Sequence, residues 1–389
     1  MTEKKTPLHA EHESLGATMT DFGGWMMPLR YTSDLAEHRA VREAAGLFDL
    51  SHMGGIAVTG SEAGAALDHA LVGNLSKLRR AGARYTMLCA EDGGVLDDLI
   101  VYRTGADEYF VVANAANAET VLVALLERAA GFDAEVRDVS AREALIAVQG
   151  PRAARIVAEV LTEDAESTAT PFDELKYYAS TTMRFGDEPV LVARTGYTGE
   201  DGFEIWVATP HAVALWRALL AAGEPHGLVP AGLAARDSLR LEAGMPLYGH
   251  ELDTTTTPYD AGVGRIVKLD KTSDDGTPVE FVGRAALAAR HDSAPERVLV
   301  GLRGTGRRPA RAGYAVVRRD PERPDDVAAG TQVGTVTSGA PSPTLGHPVA
   351  MAYVTPEVSA EGTELAVDVR GRAEPFVVVP LPFYRRERD

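Results

Sequence analysis

With 389 residues the chain exceeds what one small core serves, so two or three domains are expected. Hydrophobic residues make up 45% and charged residues 24%, the balance of an ordinary globular protein. The 39 Lys+Arg against 56 Asp+Glu give a net charge of −17, which argues against nucleic acid as the main ligand but leaves room for a small anion held by one or two arginines.

Cys89 is the single cysteine, which excludes an intrachain disulfide and argues against a cysteine-based zinc site. Its expected role is that of a small strand hydrophobe. The polar start, Met1 to Ala10, has no apolar leader segment, and no long apolar run suits a bilayer. The expectation is a cytoplasmic protein without a membrane partner.

In chain order, Asp21-Phe22-Gly23-Gly24-Trp25 reads as an aromatic, glycine-rich turn. Ser33-Asp34 offers a helix cap, and Ala36, Ala40, Ala44 and Leu47 follow at helical spacing. A short strand is expected around Ile56 and Val58, then an amphipathic helix opened by Ser61-Glu62 and stopped by Gly73. Strands are expected over 85–90, in the apolar run after Gly93-Gly94, and over 109–113. An Ala- and Leu-rich helix follows Asn114. Residues 145–149 read as a strand ended by Gly150-Pro151. The glycine-rich loop 194–202 leads into a strand over 203–207, with helices beginning near Pro210 and Gly232. After about Lys271, Val-rich runs alternate with Gly and Pro turns, the texture of an all-β module. The fold class expected is α+β with a β-rich C-terminal domain.

Three constellations carry chemistry. In Val95-Leu96-Asp97-Asp98-Leu99-Ile100-Val101-Tyr102, strand alternation sends one carboxylate to each face, and an ionised carboxylate is costly to bury without a partner. Alternation alone does not choose between the two. In the strand 203–207, Phe203, Ile205 and Val207 share one face and Glu204 and Trp206 the other. A glutamate so placed is either a solvated edge residue or an acceptor for a flat heterocycle with adjacent amino and ring N–H groups, as in pterins and guanines. Arg236 and Arg240 stand four apart on one helical face, which requires acids or an anionic ligand between them. No dinucleotide fingerprint, P-loop, zincin motif or hydrolase elbow is present, and His52 and His250 read as structural histidines, so no metal is expected.

Taken together, Asp21 to Pro28, Phe48 to Met53, Gly93 to Tyr102, Arg194 to Gly202, Ala235 to Met245 and Thr337 to Gly346 resemble the aminomethyltransferase (T-protein) family of the glycine cleavage system. The resemblance runs nearly end to end. It implies a three-domain cloverleaf around a tetrahydrofolate site, with a barrel-like C-terminal domain. The division it suggests is 1–54 with about 140–245 as one α+β body, 55–139 with about 246–275 as a second, and 276–389 as the third.

The implied reaction moves the methylene carbon of an aminomethyl group from the dihydrolipoyl arm of H-protein to tetrahydrofolate. The products are 5,10-methylenetetrahydrofolate, ammonia and the reduced arm. Glycine decarboxylase and dihydrolipoyl dehydrogenase are implied as indirect partners. Residue by residue, the resemblance implies a catalytic role for Asp98, pterin binding for Glu204 and ligand binding for Arg236. Tyr85, Tyr197, Met53 and Asn114 line the folate site, and Arg385 is the tail residue that would meet the folate carboxylates. Tyr259, Asp260 and Arg265 depart from the family pattern. The runner-up is a tetrahydrofolate-dependent demethylase; an iron–sulfur assembly factor of the same fold ranks below it, since Leu88-Cys89-Ala90 lacks that relative's Lys-Gly-Cys motif.

Overall fold

The computed structural model describes residues 3–163, 170–273, 275–320, 322–323 and 326–387. Three bodies, each with its own hydrophobic core, organise it. The first lies on a seven-stranded mixed sheet, in the order 162–163, 180–185, 188–193, 202–208, 143–149, 45–49, 228–230. Ile146, Val148, Phe203, Ile205 and Val207 bury against Ile156 and Val157 of the helix Ala153–Val160 and Leu215, Trp216 and Leu219 of the helix Ala212–Gly223. A three-stranded sheet of residues 4–5, 25–30 and 18–22 completes this end of the chain.

The second core lies on a five-stranded sheet in the order 83–89, 95–103, 108–113, 54–59, 135–138. Its Leu99, Val101 and Val111 pack against Leu67 of the helix Ala63–Ala70 and Val121 and Leu125 of the helix Ala118–Arg128. The third is a closed six-stranded antiparallel barrel, Val298–Gly304 through Ala373–Val379. Closure leaves no unpaired edge. The expected α+β class with a β-barrel at the C-terminal end is what the chain forms.

One local expectation is corrected. The helix capped by Ser33, whose side chain accepts from the Ala36 N–H at 3.1 Å, ends at Glu43. Leu47 lies instead on the strand Ala45–Asp49, which pairs with 146–149 and 228–230. Sheet pairing here overrides an alanine-rich helical spacing. The segment just before the barrel packs on the second sheet. Phe281, and Leu287 of the helix Arg284–His291, share a core with Met87, Cys89 and Val95. The apolar side of that helix is buried on the second body, and the barrel begins at Val298.

Buried polar networks join the bodies. Glu242, fully buried, takes Arg42 at 2.8 Å, His38 at 3.2 Å and, from the barrel segment, the hydroxyls of Ser342 at 2.5 Å and Thr344 at 2.7 Å. Arg240 donates to Glu251 at 3.0 Å and to Ser338 of the barrel at 2.8 Å, and Ser338 donates to Glu251 at 2.6 Å. With every member partnered, such networks fix one relative arrangement of the bodies.

Candidate functional site

The acidic strand resolves its own ambiguity. Asp97 lies on the side of Leu99 and Val101, fully buried, and accepts from the Asn114 backbone N–H at 3.0 Å, Asn114 Nδ2 at 2.9 Å and Asn117 Nδ2 at 2.7 Å. It ties the sheet to the start of the helix Ala118–Arg128. Asp98 shares the opposite face with Ile100 and Tyr102, which pack into an apolar cluster between the two sheets. It is half-buried, accepting from Tyr85 Oη at 2.9 Å and Asn114 Nδ2 at 2.8 Å. Asn114 thus bridges both carboxylates. Tyr85 is diagonal to Asp98 across the strand pair, whose register sets Tyr85 opposite Ile100 and Met87 opposite Asp98.

Among the described residues neither acid has a cation in ion-pair range. Burial raises Asp98 above the ordinary carboxylate range, and the Tyr85 and Asn114 hydrogen bonds only partly offset it. Burial, then the charge of Asp98, push Asp97 up to about 7. Desolvation without a compensating positive charge favours the neutral acid. A carboxyl so placed holds a proton more tightly than an exposed one, which makes its ionised form a stronger base.

Glu204 reaches the same central cluster from the other sheet. As expected from alternation, Phe203, Ile205 and Val207 enter the first core, while Trp206 joins Phe48, Leu50 and Tyr102 in the central one. Glu204 Oε2 accepts from Thr195 Oγ1 at 2.5 Å and from Tyr102 Oη at 3.2 Å. Tyr102 stands four residues beyond Asp98 on the same face of the same strand. One rigid strand therefore carries Asp98 and the side chain that fixes Glu204.

Arg236 and Arg240 separate into two roles. Arg240 is consumed by the Asp237, Glu251 and Ser338 network. Arg236 lies over the face of Tyr197, 4.8 Å from the ring centre, with no carboxylate in ion-pair range among the described residues. Burial lowers its pKa, which Tyr197 and Glu204 counteract. Tyr197 is pinned by donating to the Pro246 carbonyl. Both line a cavity of about 700 Å³ that opens between the first body and the barrel. Asp98 and Glu204 are not on its walls, so Tyr197 and Arg236 mark where the cavity meets the central cluster. Met53 lies at the edge of that cluster, partly buried.

The loop 194–202 owes its glycines to a protein contact. A Cβ at Gly196 or Gly202 would stand 2.0 or 2.4 Å from the Gln149 amide, which donates to the Thr195 carbonyl at 3.1 Å and accepts from Thr198 at 2.9 Å. Arg194 closes the loop on Asp201 through two bonds of 2.9 and 2.7 Å.

Arg385 is not brought to this group: its side chain is exposed. Its neighbour Arg386 pairs with Asp201 at 3.1 Å, and Tyr384 packs on Arg42, whose guanidinium lies 4.0 Å from the ring centre. The family departures settle into structure. Asp260 pairs with Arg290 at 2.6 Å, Tyr259 packs on His291, and Arg265 is exposed.

Sequence reasoning missed three side chains here. Tyr102 and Thr195 hold Glu204. Tyr178, in a left-handed conformation at φ 60°, feels the charges of both Asp98 and Glu204. Its N–H donates to Arg194 O and its carbonyl accepts from the Ala83 N–H, so its backbone joins the two sheets. The period-two count from Asp98 through Ile100 reaches Tyr102; nothing in the sequence signals Tyr178.

Over residues 8–271 the sequence matches the family model described as GCVT N-terminal domain, and over residues 297–385 that described as glycine cleavage T-protein C-terminal barrel domain. An aminomethyltransferase of Streptomyces coelicolor is 58% identical, covering 99% of this chain and 98% of its own. One from Cutibacterium acnes is 54% identical over 99% of each. The crystal structure of glycine cleavage system aminomethyltransferase T from Bartonella henselae aligns with a TM-score of 0.85 at 38% identity, covering 98% of both chains. These similarities do not favour the demethylase or assembly-factor readings. Sequence, barrel and the paired sheets agree: the chain belongs to the glycine cleavage T-protein family of aminomethyltransferases.

Proposed function

We propose that this chain moves the methylene carbon from aminomethyl-dihydrolipoyl H-protein to tetrahydrofolate. The observation that carries the proposal is Asp98, a half-buried carboxylate without a cation, on the same strand face as the tyrosine that fixes Glu204. In the reaction the S–C and C–N bonds of the donor break and two N–C bonds form, at N5 and N10 of the folate. The two folate N–H protons leave, one to the departing ammonia and one to the lipoyl sulfur.

Folate nitrogens are weak nucleophiles. Asp98 orients one, takes its proton and stabilises the positive charge that develops there, within the reach of general acid–base catalysis. Glu204, with Oε2 already held by Thr195 and Tyr102, offers acceptor capacity to the pterin's amino and ring N–H edge. Arg236 and Tyr197 contact the ligand where the cavity meets the cluster. Tyr85, Asn114 and Met53 set the wall around Asp98. Arg385 would act only as a surface contact to the folate carboxylates.

H-protein is the proposed partner, with the decarboxylase and dihydrolipoyl dehydrogenase acting on it in turn, and the cytoplasm the proposed location. Among the described residues no helix is long and apolar enough to cross a membrane. We also propose the three-part division given above. The test is direct: incubate the protein with tetrahydrofolate and aminomethyl-loaded H-protein, then assay ammonia and 5,10-methylenetetrahydrofolate. Absence of both products sinks the reading.

A further inference from the structure

Two helices of the first body meet behind the cavity wall. The helix Asp34–Glu43 brings His38 and Arg42, four residues apart and so on one face, against Ser238 and Glu242, spaced alike on the helix Leu233–Glu242. His38 is fully buried, and its two ring nitrogens meet different groups. Nδ1 lies 2.7 Å from Ser238 Oγ. Nε2 lies 2.9 Å from Thr344 Oγ1 and 3.2 Å from Glu242 Oε2. Ser238 is half-buried and stands on the wall of the 700 Å³ cavity. A serine, a histidine and a carboxylate joined in this order can pass a proton along the chain. The transfer chemistry of Asp98 and Glu204 makes no use of them.

The surrounding hydrogen bonds fix the tautomer of His38. Thr344 gives its one hydroxyl hydrogen to Glu242 at 2.7 Å and accepts from Arg42 Nε at 3.3 Å. Both atoms facing Nε2 are therefore acceptors, so Nε2 carries a hydrogen. Neutral His38 then has Nδ1 free to accept, and the hydroxyl of Ser238 is the donor that meets it. Once Nδ1 is protonated that bond reverses, and the Ser238 hydrogen turns to the Ala235 carbonyl at 3.1 Å. The two bonds of Ser238 are the two ends of one proton transfer. Burial would raise Glu242, but His38, Ser342 and Arg42 bring it to about 2, so it stays ionised in both states. It is placed to stabilise the imidazolium when that forms.

We propose that Ser238 and His38 are a proton relay for the aminomethyl donor, with Ser238 touching the donor in the cavity and His38 positioned behind it. The inference rests on the aminomethyl-transfer reading above. Tyr197 and Arg236 stand on the same wall, where the cavity meets the Asp98 cluster, so a donor reaching the folate through the cavity runs beside Ser238. The donor nitrogen arrives as an ammonium, its lone pair tied up by a proton. Ser238 Oγ takes that proton as its own hydrogen passes to His38 Nδ1. The freed lone pair closes a C=N bond while the C–S bond breaks, its electron pair going to sulfur. The relay then runs backward and hands the proton to the sulfur. Nitrogen and sulfur are bonded to the same carbon, so one hydroxyl serves both. A folate nitrogen adds to the C=N carbon, and the departing nitrogen recovers a proton from the folate side. The net count stays one proton to sulfur and one to ammonia, with no oxidant or reductant.

The test measures single-turnover ammonia release from aminomethyl-loaded H-protein at saturating tetrahydrofolate, with thermal melts and a tetrahydrofolate titration beside it. Ser238→Ala is expected to slow release at least about tenfold, with tetrahydrofolate affinity within about twofold of wild type. Ser238→Thr keeps a hydroxyl and should stay within about threefold of wild type. His38→Gln keeps a hydrogen bond but passes no proton, and should slow release as far as Ser238→Ala does. The double variant should be no slower than either single one, because two parts of one relay fail together. Release by Ser238→Ala within about twofold of wild type overturns the proposal. So does a double variant slowed by the product of the single effects, or a loss in Ser238→Ala that Ser238→Thr shares, since both assign the residues to packing. If His38→Gln does not fold, the two variants at Ser238 decide alone. The functional reading fails differently, through a wild type that releases no ammonia, whereas the relay fails through an unimpaired variant of an active wild type.

Discussion

Two buried acid clusters in this molecule are built to opposite electrostatic plans. At the junction of the first body with the barrel, burial alone would raise Glu242, yet His38, Ser342 and Arg42 outweigh it and bring the carboxyl down to about 2. At the acidic strand, burial raises Asp97 and Asp98, and among the described residues their partners are amides and one phenol. One site spends its carboxylate on holding bodies together. The other keeps a carboxylate without a cation, set behind the Tyr197 that lines the cavity, the kind of environment found at sites where a ligand supplies the missing charge.

The sharpest way to break that contrast is Asp98→Asn. Asn keeps the size and can still pair with Tyr85 and Asn114, but it accepts no proton. We expect kcat for methylene transfer to fall about 10²–10⁴-fold, with tetrahydrofolate affinity changed only severalfold and the melting cooperative. Stopped-time assay of product beside equilibrium titration separates the two. Near-normal turnover would remove Asp98 from the chemistry.

At the junction the same kind of change should act on stability. Glu242→Gln leaves Arg42 and His38 buried beside a neutral amide, and removing one partner of a buried ion pair costs about 3–5 kcal/mol. Denaturant titration is the measurement. The pH sign follows from the depressed pKa: the Glu242 contribution is present above the ordinary 4.5 and is lost as pH falls toward about 2. In the variant that acid-side loss should be absent. A fully stable Glu242→Gln protein would show that the junction network is dispensable.

Glu204 lies between these extremes, anchored by protein hydroxyls in the central cluster and proposed above to meet the pterin. Glu204→Gln should weaken tetrahydrofolate binding by about 1.5–3 kcal/mol, the worth of a hydrogen bond to a charged group, with kcat little affected at saturation. Tyr102→Phe, which removes only the 3.2 Å bond that orients Glu204, should cost less, on the order of 0.5–1.5 kcal/mol. Equal losses in both variants would mean that Tyr102 itself meets the ligand.

The acid pair, the Glu204/Trp206 face and the β-rich end are legible because period-two alternation is a local property of the chain. Which aspartate is open is not local. It depends on Asn114 and Asn117, on another strand end and a helix start, satisfying Asp97. The Arg236/Arg240 pair shows the same limit: spacing reveals the repulsion, but only tertiary packing brings Glu251 and Ser338 to one arginine and leaves the other to the cavity. The strand at Leu47 and the docking of Leu287 were hidden for a related reason, since short alanine-rich segments take their state from the surface they meet. The glycines of 194–202 admit close approach of any neighbour, and the one that Gly196 and Gly202 meet is Gln149.

The smallest effect tests the electrostatic contrast most closely. Asp97 carries a raised pKa, so relative to the unfolded chain its share of stability is fully present below the ordinary 3.8 and is lost as pH rises through about 7. Part of that rise comes from the charge on Asp98. In Asp98→Asn the repulsion is gone, and Asp97 should ionise at lower pH and at less cost. Other groups titrate nearby: His52 is depressed to about 4 by burial, and buried Lys271 to about 7. Lys271 nevertheless donates to the Asp68, Leu71 and Gly73 carbonyls, a use of three N–H groups that requires the ammonium. Neither is bonded to the pair, so both cancel in the difference between variant and wild type. That difference should grow in favour of the variant as pH is raised from about 5 to 8, reaching on the order of 1 kcal/mol. Paired urea titrations across the range measure it. Burial of Asp98 itself adds to the same slope, so a difference independent of pH would mean that neither burial nor repulsion weighs on that carboxylate, and the electrostatic distinction between the acidic strand and the Glu242 junction would fall.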